Sequence, residues 1–209
     1  GDHRDLHSFP TRRSSDLFNQ NGGSLTIDFN GAAGTRNLQA SLLNDGTVNV
    51  NGFTRFNRAG DTYTNTGSFH VAAGVTLEMQ SSGQTFDQDG GTLDIQGTFN
   101  PSSSTFNFDG GNVVGNPMIL SASTLNIGPL ADTGEFVLRQ TSNLGGDLSS
   151  GQFVTIRGDG NNAFITTPGS FANQGSITVE TTAASSATLH LGTETLTNHF
   201  GGVLTFSGG

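Results

Sequence analysis

The chain has no cysteine, no lysine and no tryptophan. Without cysteine, disulfides, thiolate metal sites and cysteine nucleophiles are excluded. Without lysine, all eight basic residues are arginine; set against 17 Asp and Glu, they leave a formal net charge of −9. So acidic a surface argues against nucleic acid and anionic lipid as partners. No apolar run approaches the roughly 18 residues that would span a bilayer as a helix. Helical patterning is missing too: no Ala/Leu/Glu-rich window repeats its apolar residues at a 3.6 period. Proline is scarce, at 5 of 209 residues.

What is present is glycine, 31 residues of it, together with Thr and Asn, 16 Phe and a single Tyr. Phe carries no polar atom to satisfy, which suits a narrow, dry interior. A Gly-, Thr- and Asn-rich acidic composition is compatible with disorder, but the regular apolar alternation described below argues against it.

Residues 1–17, "GDHRDLHSFPTRRSSDL", stand apart. They hold three arginines and two histidines, with neither strand alternation nor a helical stripe. They lack the apolar run of a secretory signal. Arg4, Arg12 and Arg13 are balanced by Asp2, Asp5 and Asp16, so they do not make a basic arm. Read codon by codon, the string resembles the translation of a widely used short-read sequencing adapter. The resemblance marks residues 1–17 as a non-native, disordered segment to be set aside, and an assembled genome as the source.

From residue 18 onward the chain repeats. "FNQNGGSLTI", "LLNDGTVNV", "YTNTGSFHV", "FDQDGGTLDI", "FNFDGGNVV", "FANQGSITV" and "LTNHFGGVLTF" align on Gly23, Gly46, Gly67, Gly91, Gly111, Gly175 and Gly202, with weaker copies at Gly134 and Gly151. Two residues past these anchors stand Leu25, Val48, Phe69, Leu93, Val113, Phe136, Phe153, Ile177 and Leu204, all apolar. Four past, most are apolar again, while the residues between are polar or small. This is the in–out–in pattern of a half-buried strand. A unit of about 22 residues is too short to enclose its own core and must stack on its neighbours. The pattern predicts an all-β fold over residues 18–209: a right-handed parallel β-helix of about nine coils, with ladders of Phe, Leu, Val and Asn. A β-sandwich also uses short alternating strands, but it gives no reason for one fixed turn chemistry at this period.

The strings "NTGSFHV", "NQGSITV" and "DGGTLDIQGTF" resemble the passenger repeats of bacterial autotransporters and filamentous-haemagglutinin-like adhesins, over nearly all of residues 18–209. The resemblance implies a β-helix at the bacterial outer surface or outside the cell, with glycans or cell-surface proteins as partners and membrane attachment only through other domains. The sequence stops at "LTFSGG" in mid-repeat, and a fragment truncated at both ends is the expectation.

Two polar constellations are candidate sites. Asn49, His70 and Asp94 fall in one outward column, with His70 and Asp94 on neighbouring coils within reach of a hydrogen bond. Pectin-degrading β-helices use clustered carboxylates with a basic partner on such a face; a plain polar surface ladder is the alternative. Asp89 and Asp109 share the register two residues before their anchors, and Asp87 lies close by. Stacked carboxylates repel unless a cation bridges them, so Asp87, Asp89 and Asp109 form a candidate Ca²⁺ site, against a simple turn role for Asp before Gly. "RGD" at 157–159 reads as part of a polar turn, and His190 and His199 as solvated. No nucleophile elbow, phosphate loop or zinc motif occurs, so no catalytic residue or resident cofactor is assigned.

The expectation is therefore a non-catalytic structural or adhesive segment. The alternatives are a carbohydrate-active β-helix enzyme, such as a polysaccharide lyase or glycosidase, and a glycan- or ice-binding solenoid.

Overall fold

The computed structural model describes residues 16–28 and 34–208. The segment set aside as non-native falls outside the described residues up to residue 15; Leu17 opens the first strand and packs against the core. No helix occurs among the described residues.

The chain winds through nine stacked rungs. The first holds β1 (Leu17–Asn19), β2 (Ser24–Ile27) and β3 (Arg36–Leu38). The second holds β4 (Leu42–Asn44), β5 (Thr47–Val50) and β6 (Thr54–Phe56), the third β7 (Thr62–Asn65), β8 (Ser68–Val71) and β9 (Thr76–Met79). In the next two rungs the first two strands run together, giving β10 (Thr85–Ile95) with β11 (Thr98–Pro101) and β12 (Thr105–Gly115) with β13 (Met118–Ser121). The sixth is β14 (Thr124–Ala131) and β15 (Gly134–Arg139), the seventh β16 (Thr141–Gly145) and β17 (Gln152–Gly158). The eighth is β18 (Ala163–Thr166), β19 (Phe171–Asn173) and β20 (Ser176–Thr181), the ninth β21 (Ala187–His190), β22 (Leu196–Asn198) and β23 (Val203–Gly208).

The strands stack in parallel on three faces. Face 1 runs β1-β4-β7-β10-β12-β14-β16-β18-β21, face 2 begins with β2-β5-β8-β10, and face 3 is β3-β6-β9-β11 followed by β13-β15-β17-β20-β23. Nine strands on face 1 are separated by eight turns of chain. The molecule is the expected parallel β-solenoid.

The anchor glycines have a steric cause. A Cβ on Gly46 would lie inside 3.0 Å of the Gly23 carbonyl, one on Gly67 inside 3.0 Å of the Gly46 carbonyl, and one on Gly91 inside 3.0 Å of the Gly67 carbonyl. Each anchor thus leaves room for the backbone of the anchor one rung below. At this corner only a residue without a side chain lets the rungs close to the ~4.8 Å ladder spacing.

The interior is apolar and aromatic. Phe56, Tyr63, Phe69, Phe86, Phe99, Phe106, Phe108 and Phe136 are fully buried. Phe56 stacks on Tyr63 at 4.1 Å, and Phe86 on Phe106 at 5.7 Å. Each such burial contributes roughly 1.5–3 kcal/mol. The Tyr63 hydroxyl is not orphaned: Gln84 Nε2, itself buried, donates to it at 3.2 Å and to the Phe56 carbonyl at 2.9 Å. Burial pushes the Tyr63 phenol up to about 12.

The corner between faces 1 and 2 carries a buried amide ladder. Asn19 Nδ2 donates to Asn44 Oδ1 at 2.7 Å, Asn44 Nδ2 to Asn65 Oδ1 at 2.7 Å, and Asn65 Nδ2 to Gln88 Oε1 at 2.9 Å. In the next rungs Phe108 and then Ile127 take this place, and the corner becomes dry.

The structure corrects the register of the later repeats. Leu25, Val48, Phe69, Leu93 and Val113 do form one column, on face 2. Phe136, Ile177 and Leu204 belong to face 3, in a column that begins at Met118. The member of that column in the seventh rung is Val154, while Phe153 points outward and is 51 % exposed. The cause is Gln152, which is buried after the positive-φ Gly151 and caps the turn, accepting from Ser149 N at 2.8 Å and donating to Ala131 O at 3.1 Å. That inserted cap shifts the in–out phase by one residue.

Candidate functional site

The outward column of face 2 places Asn49 on β5, His70 on β8 and Asp94 on β10, each opposite the next. His70 Nδ1 and Asp94 Oδ2 are 2.9 Å apart, and both side chains are about one-third exposed. Asp94 Oδ1 also accepts Gln96 Nε2 at 2.7 Å. The column therefore brings together an imidazole and a carboxylate that is held from both oxygens. Above Asp94 the position passes to Val114, so the polar row ends there.

The acidic constellation is arranged differently from expectation. Asp87 stands opposite Asn107, whose Nδ2 donates to Asp87 Oδ1 at 2.7 Å. The ladder slips between Gln88 and Asp89, which sets Asp89 opposite Gly110 instead of Asp109. Asp109 packs over Gly128, where a Cβ would collide with it. Among the described residues no group of three or more His, Asp or Glu side chains converges to hold a metal. Asp89 and Asp109, expected to face each other beside Asp87 as a Ca²⁺ site, are separated by the slip and do not share a register position. The three charges still sense one another. Burial, partly offset by the Asn107 hydrogen bond and reinforced by Asp109, holds the Asp87 carboxyl above its ordinary range. Burial, then the charges of Asp87 and Asp109, does the same to Asp89.

Three further ion pairs link neighbouring rungs. Arg55 Nη2 meets Glu78 Oε2 at 2.6 Å, Arg139 Nη2 meets Asp159 Oδ2 at 2.7 Å, and Arg157 Nε meets Glu180 Oε1 at 2.6 Å. Both charged ends of the 157–159 "RGD" are thereby occupied, and Gly158 between them is buried. His190 is exposed and stacks on Phe164 at 5.2 Å, and His199 lies exposed in a turn. A shallow corner groove of about 570 Å³ lies beside Asn51, Phe53 and Thr76, and another of about 480 Å³ beside Pro129, Asp147 and Gln174. Neither groove gathers more than one charged side chain.

Alignment on the glycines missed the ion pairs of face 3. The available signal was opposite charge at one rung's separation, as in Arg55 with Glu78 and Arg157 with Glu180. The buried amides were visible only as Asn, Gln or Asp upstream of each anchor.

No family model, no curated protein and no solved structure matches the chain, so the class is set by architecture, a parallel β-solenoid.

Proposed function

We propose that the chain is a non-catalytic structural and adhesive segment of a larger secreted or cell-surface bacterial protein, with glycans or cell-surface proteins as its partners. The observation that carries this reading is the use of the outward charges: Arg55, Arg139, Arg157 and His70 are each paired with a carboxylate one rung away or nearby in the stack. Such pairs stiffen a rod and leave an even surface of Thr, Asn and Ser; they do not concentrate chemistry in one cleft. The resemblance of the repeats to passenger and haemagglutinin-like adhesins supports the same reading. The immobilised chain is expected to retain glycans or extracellular-matrix proteins from a defined array, saturably and without turnover. Release of new reducing or unsaturated ends from a polysaccharide panel would overturn the proposal.

The His70–Asp94 contact favours a second reading, a carbohydrate-active enzyme in which this pair handles the proton. Imidazole and carboxylate at hydrogen-bond distance on an accessible face meet the geometric requirement for general acid–base work. Activity on the polysaccharide panel that disappears in Asp94→Ala would establish it. Activity unchanged in that variant would remove the pair from consideration.

A further inference from the structure

Face 1 carries a regular outward net in its interior rungs. Thr62, Thr85, Thr105 and Thr124 stand directly opposite one another in four successive rungs, and Asn143 and Thr166 continue the column for two more. Two residues further along the same strands, Thr64, Asp87, Asn107 and Asn126 form a second column in the same unbroken register. Rungs repeat at ~4.8 Å and alternate residues of a strand at ~6.6 Å, so the two columns define a flat, nearly rectangular array. Between the columns Tyr63, Phe86, Phe106 and Leu125 point inward and are fully buried. The array thus rests on a close-packed floor that holds it level.

The two columns differ in what they leave open. Asn126 Nδ2 donates to Asn107 Oδ1 at 2.8 Å and Asn107 Nδ2 to Asp87 Oδ1 at 2.7 Å, which ties the second column to itself. At the far end of the first column Thr166 donates to Asn143, and Asn143 Nδ2 donates to Thr124 Oγ1 at 3.2 Å. The hydroxyls of Thr62, Thr85 and Thr105 bond to no protein group among the described residues. Each takes its partners from outside, one to receive its proton and up to two to donate. Branching at Cβ restricts threonine at χ1, so these hydroxyls and the methyls beside them recur in fixed positions.

The surroundings narrow the partner. No arginine stands in either column; the ion pairs Arg55–Glu78 and Arg157–Glu180 lie on face 3. Asp87 is the one carboxylate within the two columns, and Asn107 holds it. No aromatic ring stands outward in the four-rung net, so a sugar ring has no face to stack on. What remains is a set of free hydroxyls and methyls that repeats in two directions. Its natural complement is a surface that also repeats in two directions and offers a hydrogen-bonding oxygen at each step. The oxygens of ice form planar nets with spacings of this order. Water held in a row by fixed hydroxyls is ordered before a crystal arrives, so joining the crystal costs it little further freedom. We infer that face 1 binds ice through the Thr62–Thr124 column. The inference rests on face 1 alone and is independent of the adhesive reading.

Ice-affinity partitioning of the full chain, with thermal hysteresis and crystal habit read in a nanolitre osmometer, tests the surface. The wild type is expected to enter slowly grown ice, to facet it and to hold growth below the melting point. Thr85→Tyr and Thr105→Tyr each raise a ring from the middle of the net. Tyrosine suits a strand, so both keep the wild-type circular-dichroism spectrum while losing ice entry and hysteresis. Should one of them misfold, the other carries the test. Thr178→Tyr, the same change on face 3, behaves like the wild type. Asp87→Asn removes the charge from the net and equals or exceeds the wild type. A wild type excluded from ice, a folded Thr85 or Thr105 variant that still enters it, or an equal loss in Thr178→Tyr or Asp87→Asn overturns the inference. Retention on cellulose or chitin in place of ice also overturns it and gives the face to a polysaccharide.

Discussion

Leu93 lies directly over Phe69 in the parallel ladder of face 2, and both are sealed from solvent. The next residue, Asp94, points the other way and is one-third exposed. Leu93→Ala is expected to lower unfolding free energy by about 2–5 kcal/mol. Asp94→Ala is expected to stay within about 1 kcal/mol, the range of an exposed ion pair. Denaturant titration of both variants checks the contrast, and similar losses would refute this in–out phase.

Asn65 is the middle of the buried amide ladder, accepting from Asn44 and donating to Gln88. Asn65→Leu keeps the branching at Cγ but leaves buried Gln88 Oε1 without its donor and Asn44 Nδ2 with only the Ser68 carbonyl. Each orphaned buried group costs about 1–3 kcal/mol, so the loss should exceed that of Thr64→Ala, one residue away on the outward side. Thermal melts of the two variants give the comparison.

The folded-state carboxyls of Asp87 and Asp89 are held above their ordinary range. Stability from a raised carboxyl is full below the unfolded value and is lost as pH rises through the folded one. Asp89→Asn is therefore expected to raise the melting temperature at neutral pH, with the gain shrinking toward zero as both proteins are taken to acid. A constant gain across pH would assign the effect to something other than charge.

Millimolar Ca²⁺ is expected to leave the melting temperature unchanged, because Asp87, Asp89 and Asp109 do not converge. A calcium-dependent rise that vanishes in Asp89→Asn/Asp109→Asn would reinstate the site.

Gly91 has φ of 60° and, as an anchor, leaves no space for a side chain against the Gly67 carbonyl. Gly22 has φ of 81° but open space around it. Both alanine variants carry backbone strain of about 1–3 kcal/mol; only Gly91→Ala adds a collision between rungs. Its loss of stability should be the larger, and equal losses would mean that conformation alone selects glycine at the anchors.

The first five rungs were legible because one corner keeps a turn, an anchor glycine and then a Leu, Val or Phe column, preceded in four of them by a buried Asn or Gln. The sequence carries no mark of the point where that chemistry moves to a different corner. "FANQGSITV" reads like "FNQNGGSLTI", yet the first lies between faces 2 and 3 and the second between faces 1 and 2. Both turns run from Phe through a buried Asn to a glycine, and only counting strands around each rung separates the two corners. Phe153 was misplaced for a related reason: a buried Gln152 is a turn cap, which hydrophobic alternation cannot distinguish from an outward polar residue. His70 and Asp94 were legible because their rungs share register without a slip; Asp89 and Asp109 were not, because the slip falls between Gln88 and Asp89.

In this stack each strand bonds only to the rung above and the rung below, and the interior columns follow the same rule. Under tension between its ends such a rod has no long-range staple to share the load, and nearest-neighbour coupling makes each terminal rung the weakest point. It yields by peeling, one rung per event, while the remainder keeps its shape. Each detached unit of about 22 residues releases roughly 70 Å of chain in exchange for ~4.8 Å of rod. A stack of this kind is thereby also a graded tether, lengthening in equal steps under a pull that would snap a single brittle contact.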